Sequence, residues 1–152
     1  MLNVRGLSVF YGNIAAVHHL SFDLSPGQIL LINGHHGSGK SSLLNAILGS
    51  IISTGNILLD GKILKNRNPN LMLKNGFSIV PEREALFKSM TVIENLKIAT
   101  ALSGKPKPIG NILEMFPELN PILSQKAFSL SGGQGRLVAF ARSLISNPRF
   151  LL

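Results

Sequence analysis

The chain of 152 residues contains no cysteine. That removes disulfides, thiolate metal sites and a cysteine nucleophile together. Acidic residues are also scarce. Seven Asp and Glu stand against fifteen Lys and Arg, and the only aspartates are Asp23 and Asp60. A mechanism built on paired catalytic aspartates has almost nothing to draw on. No apolar run approaches the roughly 18 residues of a membrane span. The opening Met1-Leu2-Asn3-Val4-Arg5-Gly6 alternates and lacks the continuous apolar core of a signal peptide. What is present is a folding composition, 45% apolar and 14% charged. The length suits one domain or a fragment of a larger one. The expectation is a soluble, cytoplasmic α/β domain.

The formal charge of +8 raises nucleic acid or an anionic membrane as partners. The basic residues are scattered, however, with small groups at Lys62, Lys65, Arg67 and at Lys105, Lys107. No aromatic residues interleave with them as a base-stacking surface requires. Nucleic acid is not expected as a partner.

Leu2, Val4, Leu7 and Val9 read as a strand ending at Tyr11-Gly12-Asn13, and residues 15–24 as a second, with Leu20, Phe22 and Leu24 on a period of two. Ser25-Pro26-Gly27 signals a turn. The continuous apolar run Gln28 to Asn33 predicts a strand buried on both faces of a parallel sheet. A helix is expected over Lys40 to Leu48, with Leu43, Leu44, Ile47 and Leu48 on one face and Gly49 at its end. Asp60-Gly61 predicts a tight hairpin between 55–59 and 62–65. Residues 69–75 suit a short helix, and Phe77 to Val80 a buried strand stopped by Pro81. Thr91-Val92-Ile93-Glu94 is a capping box ahead of an apolar stripe at Val92, Ile93, Leu96 and Ala99. Another short helix is expected over 110–116. After Ser131-Gly132-Gly133, Leu137, Phe140, Ala141 and Leu144 recur at helical spacing, ending at Asn147-Pro148. Arg149-Phe150-Leu151-Leu152 begins one more buried strand.

Gly34-His35-His36-Gly37-Ser38-Gly39-Lys40-Ser41 fits G-x-x-x-x-G-K-[ST], the P-loop pattern, between a strand and a helix as the motif requires. Glycines let the backbone curl so that successive N–H groups face phosphate oxygens. The following helix turns its N-terminal amides and positive dipole end to the same anion. Lys40 would reach the β- and γ-phosphates, and the Ser41 hydroxyl would ligate Mg²⁺. His35 and His36 fill variable loop positions. His18 and His19, adjacent on a strand, would point to opposite faces. No metal site is expected from these histidines, because further ligands at usable spacing are missing.

Leu130-Ser131-Gly132-Gly133-Gln134 follows, with Ser131 lying 91 residues after Lys40. By itself it could be a helix start capped by Ser131. A P-loop followed at this distance by LSGGQ resembles the ATP-binding cassette (ABC) ATPase family, in which LSGGQ is the signature motif. The resemblance runs over the whole chain. It implies a P-loop NTPase core of α/β class with an N-terminal antiparallel β part and a helical subdomain. The expected organisation is residues 1–87 for the core, 88–148 for the helical subdomain with the signature, and 149–152 for the start of a strand that this chain does not complete.

The resemblance also implies roles. Tyr11 matches the aromatic residue that stacks on adenine. Gly34, Gly37, Ser38, Gly39, Lys40, Ser41 and Ser42 would line ATP, with Lys40 catalytic. Glu82, in Ile79-Val80-Pro81-Glu82, stands at the Q-loop, where Gln is usual, as a catalytic and metal-side residue. Ser131, Gly132, Gly133 and Gln134 would meet the γ-phosphate held by a second ATP-binding subunit paired head to tail. Integral-membrane permease subunits are implied as partners, with a periplasmic solute-binding protein in the system. The implied location is cytoplasmic, peripheral on the inner face of the cell membrane. Glu82, Met90 to Leu96 and Phe116-Pro117-Glu118-Leu119 resemble the branch that imports branched-chain amino acids. Arg83-Glu84 depart from the Gly-Arg usual there. In the family, the strand begun at Phe150 continues into an Asp for Mg²⁺ and a Glu that polarises the attacking water, and neither is in these 152 residues. An interrupted or partial sequence with weak ATP binding, little turnover and a tendency to aggregate is therefore expected. Another ABC branch, such as an exporter subunit, and a non-catalytic nucleotide-binding module remain open alternatives.

Overall fold

Leu2 and Val4 differ in parity from Leu7 and Val9, so a regular strand would put the two pairs on opposite faces. In the computed structural model, which describes residues 1–81, 86–102 and 105–152, all four are buried. Gly6 reconciles them. It sits at φ +57 in strand β1 (Leu2–Tyr11), where the register with β2 (Ile14–Leu24) shifts between Val4 and Leu7. This is a bulge, which brings the second pair back to the core face. Its backbone is provided for, because the Gly6 N–H donates to Ser21 Oγ at 2.8 Å and the His19 N–H to Ser8 Oγ at 2.8 Å. His19 is itself at φ +50, so the regular alternation expected for His18 and His19 is broken there, and both side chains are exposed.

The chain forms two compact units, Met1–Met72 and Leu73–Leu152. The first holds an antiparallel sheet in the order β2-β1-β3-β4, with β3 at Thr54–Leu59 and β4 at Lys62–Ile63. Asp60 and Gly61 join the last two at φ +50 and +79. Positive φ at both central positions is the turn whose twist matches the flanking strands. Ser25-Pro26-Gly27 also forms its turn, with Gly27 at φ +77 and Gln28 N–H bonded to the Ser25 carbonyl.

Helix α1 (Lys40–Ile47) packs against β1 and β2. It buries Leu43, Ala46 and Ile47, with Leu48 beyond its end, while Leu44 is only partly buried. It stops where expected. Gly49 at φ +71 lets its own N–H reach Ala46 O and that of Ser50 reach Asn45 O, which satisfies two carbonyls that the helix end would leave orphaned. Helix α2 (Pro69–Lys74) has Pro at its first position and Asn68 Oδ1 accepting from Leu71 N–H at 2.9 Å.

The second unit contains the parallel pair β5 (Phe77–Ser78) and β6 (Phe150–Leu151), extended by Val80 N–H to Leu152 O. The Phe77 and Phe150 rings stack at 4.8 Å. Around α3 (Val92–Leu102), α4 (Ile109–Met115) and α5 (Gly132–Ile145), a core of Val92, Leu96, Ile112, Leu119, Ile122, Val138, Ala141 and Ile145 is assembled. The stripe of α5 is rotated from the expected one. Val138 and Ile145 are buried, whereas Phe140 is 39% exposed, its ring edge-on to Phe116 at 5.9 Å. The α5 face toward the core is built on Val138, Ala141 and Ile145, with Leu137 and Leu144 packed beside them. Among the described residues, no helix is long and apolar enough to cross a membrane.

One expectation fails. Residues 28–33 form no strand, and Ile29 and Leu31 are 98% and 84% exposed. An apolar run becomes a buried strand only when neighbouring strands satisfy its backbone and layers cover its faces. None of the described strands pairs with this one.

Candidate functional site

Each glycine of the loop 34–41 has a local physical reason. Gly37 lies at φ +79 and Gly39 at φ +87, a region that costs other residues. A Cβ at Gly39 would stand only 2.0 Å from the Ala16 carbonyl oxygen, so the close approach of β2 excludes any side chain. At Gly34 a Cβ would meet Ser38 Oγ at 2.6 Å. The loop is drawn together by Lys40, whose ammonium donates to the Gly34 and His35 carbonyls, both at 2.7 Å, and approaches Ser38 Oγ at 3.3 Å.

Gly39 is also the N-cap of α1, and no side chain caps that helix. Its first-turn N–H groups therefore keep the unmet bonding capacity of any helix start, together with the positive end of the helix dipole. The Ser41 hydroxyl is exposed and holds no hydrogen bond to another described residue. Tyr11, the last residue of β1, is 55% exposed and places its hydroxyl 3.2 Å from Ser42 Oγ. The fold thus brings Tyr11 to the segment Lys40, Ser41 and Ser42, a contact spanning 31 positions in sequence. The wall formed by the Ala16 backbone was not legible beforehand, because any residue supplies a carbonyl.

A polyphosphate suits this cradle. It needs N–H donors and a cation, and the uncapped start of α1 and the Lys40 ammonium supply them. Mg²⁺ binds phosphates and few protein oxygens, keeping several waters. Ser41 is a suitable single oxygen for it. Glu82, expected at the Q-loop, lies outside the described residues, as do Arg83 and Glu84.

In the second unit, Ser131 caps α5. Its Oγ accepts from Gln134 N–H at 3.3 Å, and Gln134 Oε1 accepts from Ser131 N–H at 3.0 Å. The reciprocal box leaves three donors uncommitted, the Gly132 and Gly133 N–H groups and the Ser131 O–H. A Cβ at Gly132, Gly133 or Gly135 would meet nothing within 4 Å, and none has positive φ. Nothing inside the unit calls for glycine here, although each costs a helix roughly 0.5–1 kcal/mol against alanine. At the P-loop the fold itself demands its glycines; at residues 132–135 it does not.

Residues 17–152 match the family model described as ABC transporter. The chain belongs to the ABC transporter family. Within this ABC chain the P-loop and the 130–134 stretch fall inside the matched span, and Tyr11 just before it. The chain is 33% identical over its full length to the high-affinity branched-chain amino acid transport ATP-binding protein BraG of Pseudomonas aeruginosa, of which it spans 67%. It is 32% identical to the sn-glycerol-3-phosphate import ATP-binding protein UgpC 1 of Rhizobium johnstonii, covering 99% of this chain and 42% of the relative. A solved ATP-binding cassette of an ABC transporter in its ADP conformation superposes with a TM-score of 0.85 at 30% identity, over 99% of this chain and 66% of the other. The chain spans about two thirds or less of the length of these proteins.

Asn95 escaped the sequence reading. It is fully buried in α3, its Nδ2 donating to Phe87 O at 3.1 Å and Thr91 O at 2.9 Å while its Oδ1 accepts from Phe87 N–H at 2.8 Å. It pins the segment 87–91 that leads into α3. A buried amide with this many partners has no sequence signal apart from its place within an apolar stripe.

Proposed function

We propose that the chain is the nucleotide-binding part of an ABC transport subunit, holding ATP in the loop 34–41. The observation that carries this reading is the loop itself. It has glycines fixed by φ and by the Ala16 carbonyl, an uncapped helix start, and the Lys40 ammonium folded over the opening. In this reading the N–H groups of Gly37 to Ser42 bind phosphate oxygens. Lys40 leaves the Gly34 and His35 carbonyls for the β- and γ-phosphates, and Ser42 and Tyr11 border the site. When bound, Mg²⁺ would neutralise developing phosphate charge, with Ser41 as its protein ligand and Glu82 as the further metal residue that the family resemblance implies.

Ser131 O–H and the amides of Gly132 and Gly133, beside Gln134, serve the γ-phosphate held by a second subunit arranged head to tail. The unforced glycines at 132, 133 and 135 support this, because a backbone without side chains admits a close ligand. Permease subunits in the membrane complete the assembly, with the chain peripheral on the cytoplasmic face. Hydrolysis needs a group to orient the attacking water.

For the transported solute, branched-chain amino acids are our finer reading. It is supported by the likeness to BraG and by Met90 to Leu96 and Phe116 to Leu119. Nearly equal identity to a relative named for glycerol-3-phosphate import keeps other solutes as outcomes of a transport assay.

The decisive experiment is ATP titration of the chain beside Lys40→Ala. Loss of the ammonium should weaken binding by about tenfold or more, the scale of a charge-assisted contact to phosphate. Equal affinity in both proteins would reject the site.

A further inference from the structure

The unit Leu73–Leu152 encloses a cleft of about 830 Å³. Small-molecule sites typically run from about 300 to 1,000 Å³. Lys74, Lys105 and Arg142 line it, and among the described residues no Asp or Glu does. Among the described residues, none of these three cations takes part in an ion pair. Arg149 is a fourth cation on the wall, its guanidinium 5.7 Å from the Phe150 ring.

Arg142 is the most informative. It is half-buried on α5, and its one described side-chain partner is the Phe87 ring, 5.7 Å away. Burial pushes its guanidinium below the ordinary value. Arginine stays charged in proteins, and among the described residues no carboxylate offsets its cost of leaving water. Between the cations, Leu73, Ile79 and Ala139 supply apolar wall. A lining that holds both cations and hydrocarbon suits a ligand that carries an anionic group and an apolar body.

We propose that this cleft binds a small phosphate monoester with an apolar body, the phosphate held by Arg142, Lys74 and Lys105 and the body laid on Leu73, Ile79 and Ala139. A dianion suits three cations better than a singly charged carboxylate does, and a guanidinium fork matches phosphate oxygens. The apolar wall separates the expected ligand from inorganic phosphate. None of these residues belongs to the loop 34–41 or to 130–134, so the proposal stands apart from the nucleotide reading.

The probe is phenyl phosphate, titrated calorimetrically into the 152-residue chain carrying Lys40→Ala, so that the P-loop cannot report. Saturable binding is expected, weakened about tenfold by Lys74→Gln/Lys105→Gln and by Arg142→Gln, with phenol and inorganic phosphate each binding about tenfold less well. Lys74 and Lys105 are exposed, so the double variant keeps the fold, and its unchanged ATP affinity in the Lys40 parent shows this. Absence of saturable binding would overturn the proposal. So would affinity unaltered in the lysine double variant, or phenol binding as well as its phosphate ester. Binding present in the parent but abolished by Lys40→Ala would assign the probe to the P-loop and equally overturn it.

Discussion

Gly135→Ala should make the protein more stable. Gly135 lies in the first turns of α5, its φ is not positive, and an added Cβ would meet no atom within 4 Å. Its N–H already bonds to the Ser131 carbonyl at 2.9 Å, and that bond survives the substitution. The change therefore adds no clash and removes only the excess backbone freedom of glycine in the unfolded chain, worth about 0.4–1 kcal/mol. For a chain of this size, a gain of about 1 kcal/mol raises Tm by roughly 2–4 °C. Thermal melts followed by circular dichroism at the helix band measure it directly. Gly39→Ala is the control with opposite sign. There the left-handed φ alone costs about 1–2 kcal/mol, and the Ala16 carbonyl, 2.0 Å from the new Cβ, must also move. A lower Tm for Gly135→Ala would refute the reasoning, because it would mean that the glycines of the 132–135 stretch are needed by the fold and not kept for something outside it.

Two further outcomes follow from the helical unit. Asn95→Ala should cost about 1–3 kcal/mol, because it removes the acceptor of the partly buried Phe87 N–H and leaves a cavity; a urea melt of the variant beside Asn95→Asp reads the loss. Glu94 accepts from the Thr91 N–H at 2.7 Å and from the Thr91 hydroxyl at 2.9 Å, and these bonds hold its carboxyl below the ordinary glutamate value. A depressed folded value means that its contribution is whole above the unfolded pKa and is lost as pH falls through the folded one. The Glu94 carboxyl carbon should therefore titrate at lower pH than free glutamate, and in Thr91→Ala it should move back up.

Local signals carried far in this chain. Asp60-Gly61, Ser25-Pro26-Gly27, the Thr91–Glu94 box and Gly49 each fix a turn or a helix end through the chemistry of two to four neighbouring residues, and each forms as read. The P-loop was legible for the same reason, because its glycines answer to φ and close approach within one short segment. What failed depended on distant partners. Gln28 to Asn33 has the composition of a buried strand, yet a strand is made by its neighbours, and among the described residues none pairs with it. The bulge at Gly6 was hidden because glycine after an alternating run also suits an ordinary break. Phe140 falls at helical spacing with Leu137, Ala141 and Leu144, whereas the packing surface of α5 is built on Val138, Ala141 and Ile145. The cleft beside Arg142 draws its walls from α2, the segment after β5, Lys105 and α5, a juxtaposition that no spacing rule encodes.

In the proposed reading, main-chain N–H groups at the start of α1 hold a triphosphate. The most direct measurement is an amide nitrogen–proton correlation spectrum recorded as ATP and Mg²⁺ are added. The N–H signals of Gly37, Ser38, Gly39, Lys40, Ser41 and Ser42 should move together and saturate, and Lys40→Ala should abolish the movement. A saturated complex in which those six signals stay fixed while others shift would contradict the claim.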